Sequence, residues 1–258
     1  MLLSGACLAQ NTVDINEEGF PQMYGGKTEW KRFLHDHLVY PATALENKTE
    51  GSVKIEFLIP QDGKEIEPKI VKSAGPELDK EALRLVKLIE WEPAYKKSST
   101  VNIHQHIEVD FSTAKYKKWT KERGFTTPTY TDMPCDSVHG IYESVEKKPV
   151  FQNANKTFQE FIYSNLEYPE MAKRQDLEGN VVLSFVVETD GRVSNIRIQK
   201  GVGGGCDEEA IRVIGLTSWK PAIRENKYVR YRTSYTMVFS LKNSFKDNSS
   251  GSQRTWGQ

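Results

Sequence analysis

Four of the five histidines fall in two His-x-His pairs, His35/His37 and His104/His106. Imidazole nitrogens ligate zinc, and residues two apart on a strand point the same way, so His104 and His106 are weak metal candidates. Residues two apart on a helix diverge, which removes His35 and His37. The alternative for His104 and His106 is a solvated strand face. A second cluster, Gly201-Val202-Gly203-Gly204-Gly205-Cys206, stands between an expected strand and an expected helix, where phosphate loops stand. No Gly-Lys-Ser/Thr follows it, and Cys206 takes the place of the third glycine of a dinucleotide fingerprint. Asp207, Glu208 and Glu209 come next and would repel an anion, so a turn is expected and no cofactor. Cys135 and Cys206 could pair in an oxidising compartment. Cys206 at an apolar helix position also reads as a small buried hydrophobe. No nucleophile stands beside a base and no carboxylate pair stands out, so no enzymatic activity is expected. Trp91 and Trp219 are expected as core plugs rather than stacking platforms.

The elements that must position these residues occur twice. Tyr40-Pro41, Glu50-Gly51, Asp62-Gly63 and Trp91-Glu92-Pro93-Ala94 recur 128 residues later as Tyr168-Pro169, Glu178-Gly179, Asp190-Gly191 and Trp219-Lys220-Pro221-Ala222. Ungapped alignment of 21–111 with 149–239 gives 25 identities in 91 positions, where ordinary composition gives about 6 by chance. This is an internal duplication. Each unit opens with a helix: Trp30, Phe33, Leu34, His37 and Leu38 in one, and Phe158, Phe161, Ile162 and Leu166 in the other, the latter started by a Thr157/Glu160 capping box. Pro41 and Pro169 end these helices. Val53, Ile55, Phe57 and Ile59 then alternate with polar residues, as do Val181, Leu183, Phe185 and Val187, although Val182 and Val186 blur the second outer face. The Asp-Gly pairs supply hairpin turns to return strands at 65–72 and 193–200. A second helix carries Leu78, Ala82, Leu85, Val86 and Ile89, matched by Cys206, Ala210, Val213 and Ile214. The last strand turns Val101, Ile103, Ile107, Val109 and Phe111 inward, and in the second copy Val229, Tyr231, Tyr235, Met237 and Phe239. Arg230, Arg232 and Ser234 are expected outward. The fold class is α+β: two tandem small domains, each a three-stranded antiparallel sheet with two helices packed on one face.

The expected division is a truncated signal-peptide-like leader at 1–9, domains at 21–112 and 149–242, a linker at 113–148 with room for a short helix near Trp119, and a disordered tail at 243–258. A flexible linker of this length spans about 33 Å r.m.s., enough for two copies to act bivalently. Small residues Cys7 and Ala9 suit cleavage before Gln10, and acylation of Cys7 as a lipoprotein is the rival expectation. Lys+Arg and Asp+Glu balance at 35 each, so no net field favours nucleic acid or an anionic membrane. No run approaches the ~20 apolar residues that a membrane helix needs.

Taken in order, Tyr-Pro, Glu-Gly-x-Val, Asp-Gly, the helix start Leu78-Asp79-Lys80-Glu81-Ala82 and Trp-x-Pro-Ala resemble the C-terminal domain of TonB-family energy transducers. The second copy repeats them, with Asp207-Glu208-Glu209-Ala210 at the helix start. The resemblance covers both copies. It implies a periplasmic domain that grips an extended TonB box-like peptide of outer-membrane TonB-dependent transporters by strand addition. The partner-binding edges it implies are Asn102, Ile103, His104, Gln105 and His106 in one copy and Arg230, Tyr231, Arg232, Thr233 and Ser234 in the other. The alternatives are a cell-envelope scaffold or homodimer using the same edges, and a metal-binding protein through His104 and His106.

Overall fold

The computed structural model describes residues 26–60, 67–91, 94–96, 99–123, 133–135 and 140–241. The leader, the first Asp-Gly turn, Pro93, most of the Thr/Pro-rich run and the tail from 243 lie outside them. The first copy runs α1 (Gly26–His37), α2 (Ala42–Glu46), β1 (Gly51–Ile59), β2 (Lys69–Lys72), α3 (Pro76–Leu88), β3 (Ala94–Lys96), β4 (Ser99–Val101) and β5 (Ile103–Phe111). Then come α4 (Thr113–Glu122) and β6 (Ile141–Tyr142). The second copy runs β7 (Val150–Phe151), α5 (Phe158–Asn165), α6 (Glu170–Arg174), β8 (Gly179–Val187), β9 (Val193–Lys200), α7 (Cys206–Gly215), β10 (Trp219–Lys220), β11 (Ala222–Arg224) and β12 (Lys227–Phe239).

Period-two alternation builds the sheets as expected. Val53, Ile55, Phe57 and Ile59 are all buried, and the intervening β1 residues are half-exposed. Burying each such side chain is worth roughly 1.5–3 kcal/mol. The first sheet is antiparallel in the order β2-β1-β5, with Val53 opposite Val109 and Ile59 opposite Ile103. Leu78, Ala82, Leu85 and Val86 of α3 join its core, as does Phe33 of α1. The second sheet keeps the same three strands and adds two, in the order β11-β12-β8-β9 with β6 also on β12. Its helix α7 packs Cys206, Ala210, Val213 and Ile214 into the core. The Asp190-Gly191 hairpin has a three-residue loop. Gly191 N–H donates to Glu188 O at 2.9 Å, and Gly191 supplies the positive φ of 80° that such a turn requires.

Three polar devices recur in both copies and lock the elements together. Tyr40 and Tyr168 each donate their hydroxyl at 2.5 Å to a carbonyl nine residues on, Thr49 O and Leu177 O. Glu81 accepts from Val39 N–H at 2.8 Å while its partner Arg84 donates to His37 O at 2.7 Å. Glu209 and Arg212 repeat this on Glu167 N–H and Asn165 O, both at 2.6 Å. Glu50 accepts from Thr113 N–H at 2.6 Å, and Glu178 from Leu241 N–H at 2.6 Å, tying the start of the first strand to the end of the last.

One expectation needs correction, and one pair of alternatives is decided. Residues 113–148 are not a free connector. The Thr157/Glu160 capping box forms as expected, and the short helix near Trp119 is α4, capped by Ser112. That helix is pinned to α1: Arg123 donates to Leu38 O at 2.9 Å and also to His35 O, and Trp119 meets the His35 ring edge-on. The far end of the connector is built into the second sheet through β6, so the ~33 Å flexible span does not apply. Of the two readings of Cys206, the small buried hydrophobe is the one found: it packs in the core on α7, and it and the exposed Cys135 are free thiols.

Candidate functional site

The glycine cluster holds no anion site, because its amides are already used. The Asp207 carboxylate accepts from Val202 N–H at 2.9 Å and Gly203 N–H at 3.3 Å. Asp79 does the same for Ala74 N–H in the first copy, at 3.0 Å. Gly204 sits at φ 62°, where a Cβ would lie 2.6 Å from Leu177 Cδ1 and 3.3 Å from the Ala172 backbone. Gly204→Ala is therefore expected to cost about 1–3 kcal/mol. Gly203→Ala, where nothing lies within 4 Å, should cost less; thermal melting of the two variants checks the difference.

Trp91 and Trp219 are both buried. Trp219 lies among Phe151, Phe158 and Phe185, with ring centroids 5.6, 5.0 and 5.9 Å away. Its indole N–H donates to Thr217 Oγ1 at 2.8 Å.

The two last strands differ more than their shared register suggests. In the first copy β5 is the terminal strand of its sheet. Ile103 is buried under it, Gln105 is half-buried, and Asn102, His104 and His106 are exposed. His104 and His106 do share a face, as strand geometry requires. His104 Nδ1 lies 3.5 Å from Glu56 Oε1. Among the described residues no group of three His, Cys, Asp or Glu side chains is placed to hold a metal.

In the second copy the strand runs unbroken through the position that Asn102 interrupts in the first. Residues 231–239 pair with β8, residues 227–229 with β11, and Arg230 and Tyr231 with β6 in parallel. Arg230 and Arg232 leave their own core, as expected, but they do not face solvent. Arg230 is 5% exposed and grips Glu188 with Nε at 2.8 Å and Nη2 at 2.9 Å. Its Nη2 also donates to Leu88 O of the first domain at 2.6 Å. Arg232 donates to Glu90 Oε1 at 2.5 Å, and Arg197 reaches Glu90 Oε2 at 2.6 Å. Thr233 is half-buried and Ser234 exposed.

These contacts belong to a polar interface that docks the first domain onto the second sheet. Asn195 accepts from Glu90 N–H at 2.8 Å and donates to Leu88 O at 2.9 Å. Arg192 donates to Asp36 O and pairs with Asp190 at 2.5 Å. His37 is fully buried there, stacked 4.6 Å from Phe33, with Nε2 2.9 Å from Val193 O. A carbonyl accepts, so Nε2 carries a proton. Burial, and then the Arg192 charge, hold the His37 pKa well below the ordinary imidazole value. Burial alone would raise the Asp190 carboxyl, but the neighbouring Arg192 guanidinium outweighs it and brings it below the usual value. The interface also explains Val186. It faces Arg232 and Ser194 across the strands, on the covered side of the sheet. In the first copy Pro60, Lys64, Glu67, Asn102 and His104 stand where the second has Glu188, Arg192, Asn195, Arg230 and Arg232. The docking chemistry thus exists on one sheet alone.

A family model described as Gram-negative bacterial TonB protein C-terminal matches the chain twice, at residues 36–113 and 164–241. Among solved structures, the chain is similar to the solution NMR structure of the Pseudomonas aeruginosa TonB C-terminal domain. Identity is 20%, covering 37% of this chain and 88% of that one, with a TM-score of 0.29. It is also similar to the Helicobacter pylori TonB C-terminal domain in solution, at 25% identity over 32% of this chain and 76% of that one, with a TM-score of 0.25. No curated protein matches.

Proposed function

Because the chain belongs to the TonB C-terminal family through two copies of that domain, we propose that it is a non-enzymatic periplasmic module that takes an extended peptide of an outer-membrane transporter onto the edge of β5. The observation that carries this reading is the place of β5 at the outer end of β2-β1-β5. A terminal strand presents backbone donors and acceptors in the spacing that another strand needs. The receiving residues are Asn102 to His106, with His104 and His106 setting the chemistry of the exposed face. About five backbone hydrogen bonds at roughly 0.5–1.5 kcal/mol each, less the cost of association, place affinity at about micromolar to millimolar. Weak binding of this order suits a contact that must be made and released.

Capture from an outer-membrane extract by full-length protein tests the proposal, with Ile103→Pro and His104→Pro as paired variants. Successive strand residues direct their amides to opposite sides. One of the two substitutions therefore removes a donor from the outer edge while sparing the β1 ladder. That variant is expected to stay folded by circular dichroism and to lose about tenfold in capture. Unchanged capture by both variants, each still folded, would refute strand addition at β5.

A further inference from the structure

Residues 141–147 cross the second domain as a short segment that bends at Glu143 and Glu146 and touches two strands. Tyr228 N–H donates to Pro134 O at 2.9 Å, and Cys135 forms an isolated parallel bridge to Tyr228. Ile141 and Tyr142 then form parallel rungs with Arg230 and Tyr231. Lys147 closes the run by exchanging both backbone hydrogen bonds with Ile223 of β11, at 3.2 and 2.9 Å. Between these rungs Tyr142 and Val145 pack on Ala222, Val229 and Tyr231, a cluster separate from the main core of the domain. The Arg224 guanidinium lies 4.6 Å from the centroid of the Tyr142 ring. The Glu146 carboxylate accepts from Glu225 N–H at 3.1 Å. Backbone rungs, an apolar platform for two side chains and a cation over an aromatic ring are the parts of a peptide-recognition site.

We propose that the β12 edge from Tyr228 to Tyr231, together with β11, is a binding site for a short bent peptide carrying an aromatic residue and, three positions later, a β-branched one. Residues 141–147 of this chain occupy it as a tethered ligand. The contacts are few, so the segment would bind weakly if free. Tethering holds it at an effective concentration on the order of millimolar, which keeps the site filled. The β12 edge is thereby filled by the chain itself. A competing peptide can enter β12 only by displacing 141–147. The proposal shares with the reading above only the chemistry of strand pairing, and its test involves neither β5 nor a transporter.

The test uses the full chain and a fluorescein-labelled synthetic peptide of residues 140–148, read by fluorescence anisotropy. The wild-type protein is expected to bind the peptide at least about tenfold more weakly than the triple variant Ile141→Gly, Tyr142→Ser, Val145→Gly. Adding Arg224→Ala to the triple variant should weaken binding severalfold, and a scrambled peptide should not bind. If the triple variant fails to melt cooperatively, Tyr142→Ser alone carries the test with the same comparison. Equal binding by the wild type and the emptied variant, or equal binding of the scrambled peptide, overturns the proposal.

Discussion

Glu188→Ala is expected to destabilise the protein by about 3–5 kcal/mol, among the largest costs for any single substitution outside the apolar cores. The Glu188 and Arg230 side chains are 3% and 5% exposed, so their charges have almost no water to fall back on. Glu188 accepts two hydrogen bonds from the Arg230 guanidinium and another from Ser194 Oγ. Removing the carboxylate takes two hydrogen bonds and the counter-charge from a buried cation that also donates to Leu88 O. The cost has a second component, because the same guanidinium fastens α3 of the first domain to the second sheet. Urea unfolding measures both. The midpoint should fall, and the slope should fall with it if the domains part before they unfold, since less surface is then buried at the start. Glu188→Gln keeps the shape and one acceptor and should cost clearly less. A full-sized loss in the Gln variant would show that geometry, not charge, holds the interface.

Acidification below pH 6.5 is expected to destabilise the docked arrangement by roughly 1 kcal/mol per pH unit, through His37. Its folded pKa lies well below the ordinary imidazole value of 6.5, chiefly from burial and then from Arg192. Between the two pKa values the unfolded chain binds a proton that the folded protein refuses. Stability therefore falls as pH drops through this window and is flat above it. Asp190 acts in a separate range. Its folded pKa is depressed below 3.8, so its contribution is intact above that value and is lost only in stronger acid. Denaturant unfolding from pH 7.5 to 4.5 should show the slope in wild type and not in His37→Leu. An identical slope in the variant would remove His37 as its cause.

Each copy's own core was legible in the sequence, because its signals are local. Alternation at Val53 to Ile59 and helical spacing from Leu78 to Val86 each report burial against elements of the same domain. The interface was not legible, since Arg192, Asn195, Arg230 and Arg232 carry the polarity of a solvated face. The residues that betray it are Val186, apolar where alternation demands a polar residue, and Glu188, acidic where the first copy has Pro60. The shared Glu81/Arg84 and Glu209/Arg212 pairs were visible as identities, but nothing local says that they bind the chain leaving the first helix. Strand β6 is two residues long, too short for any period to register. The terminal place of β5 agrees with the order of elements in the sequence; that the corresponding stretch at 230–231 is engaged depends on a partner segment almost ninety residues upstream.

The polar character of the docking surface has a consequence during synthesis. The first domain closes with β5 and presents Asp36 O and Leu88 O to partners, Arg192 and Arg230, that the ribosome has yet to make. At ~5–20 residues per second the wait for a complete second sheet is on the order of ten seconds. An apolar docking face would spend that interval as a site for aggregation. Carbonyls and a carboxylate spend it hydrogen-bonded to water, and exchange that water for guanidinium groups once the second sheet has formed.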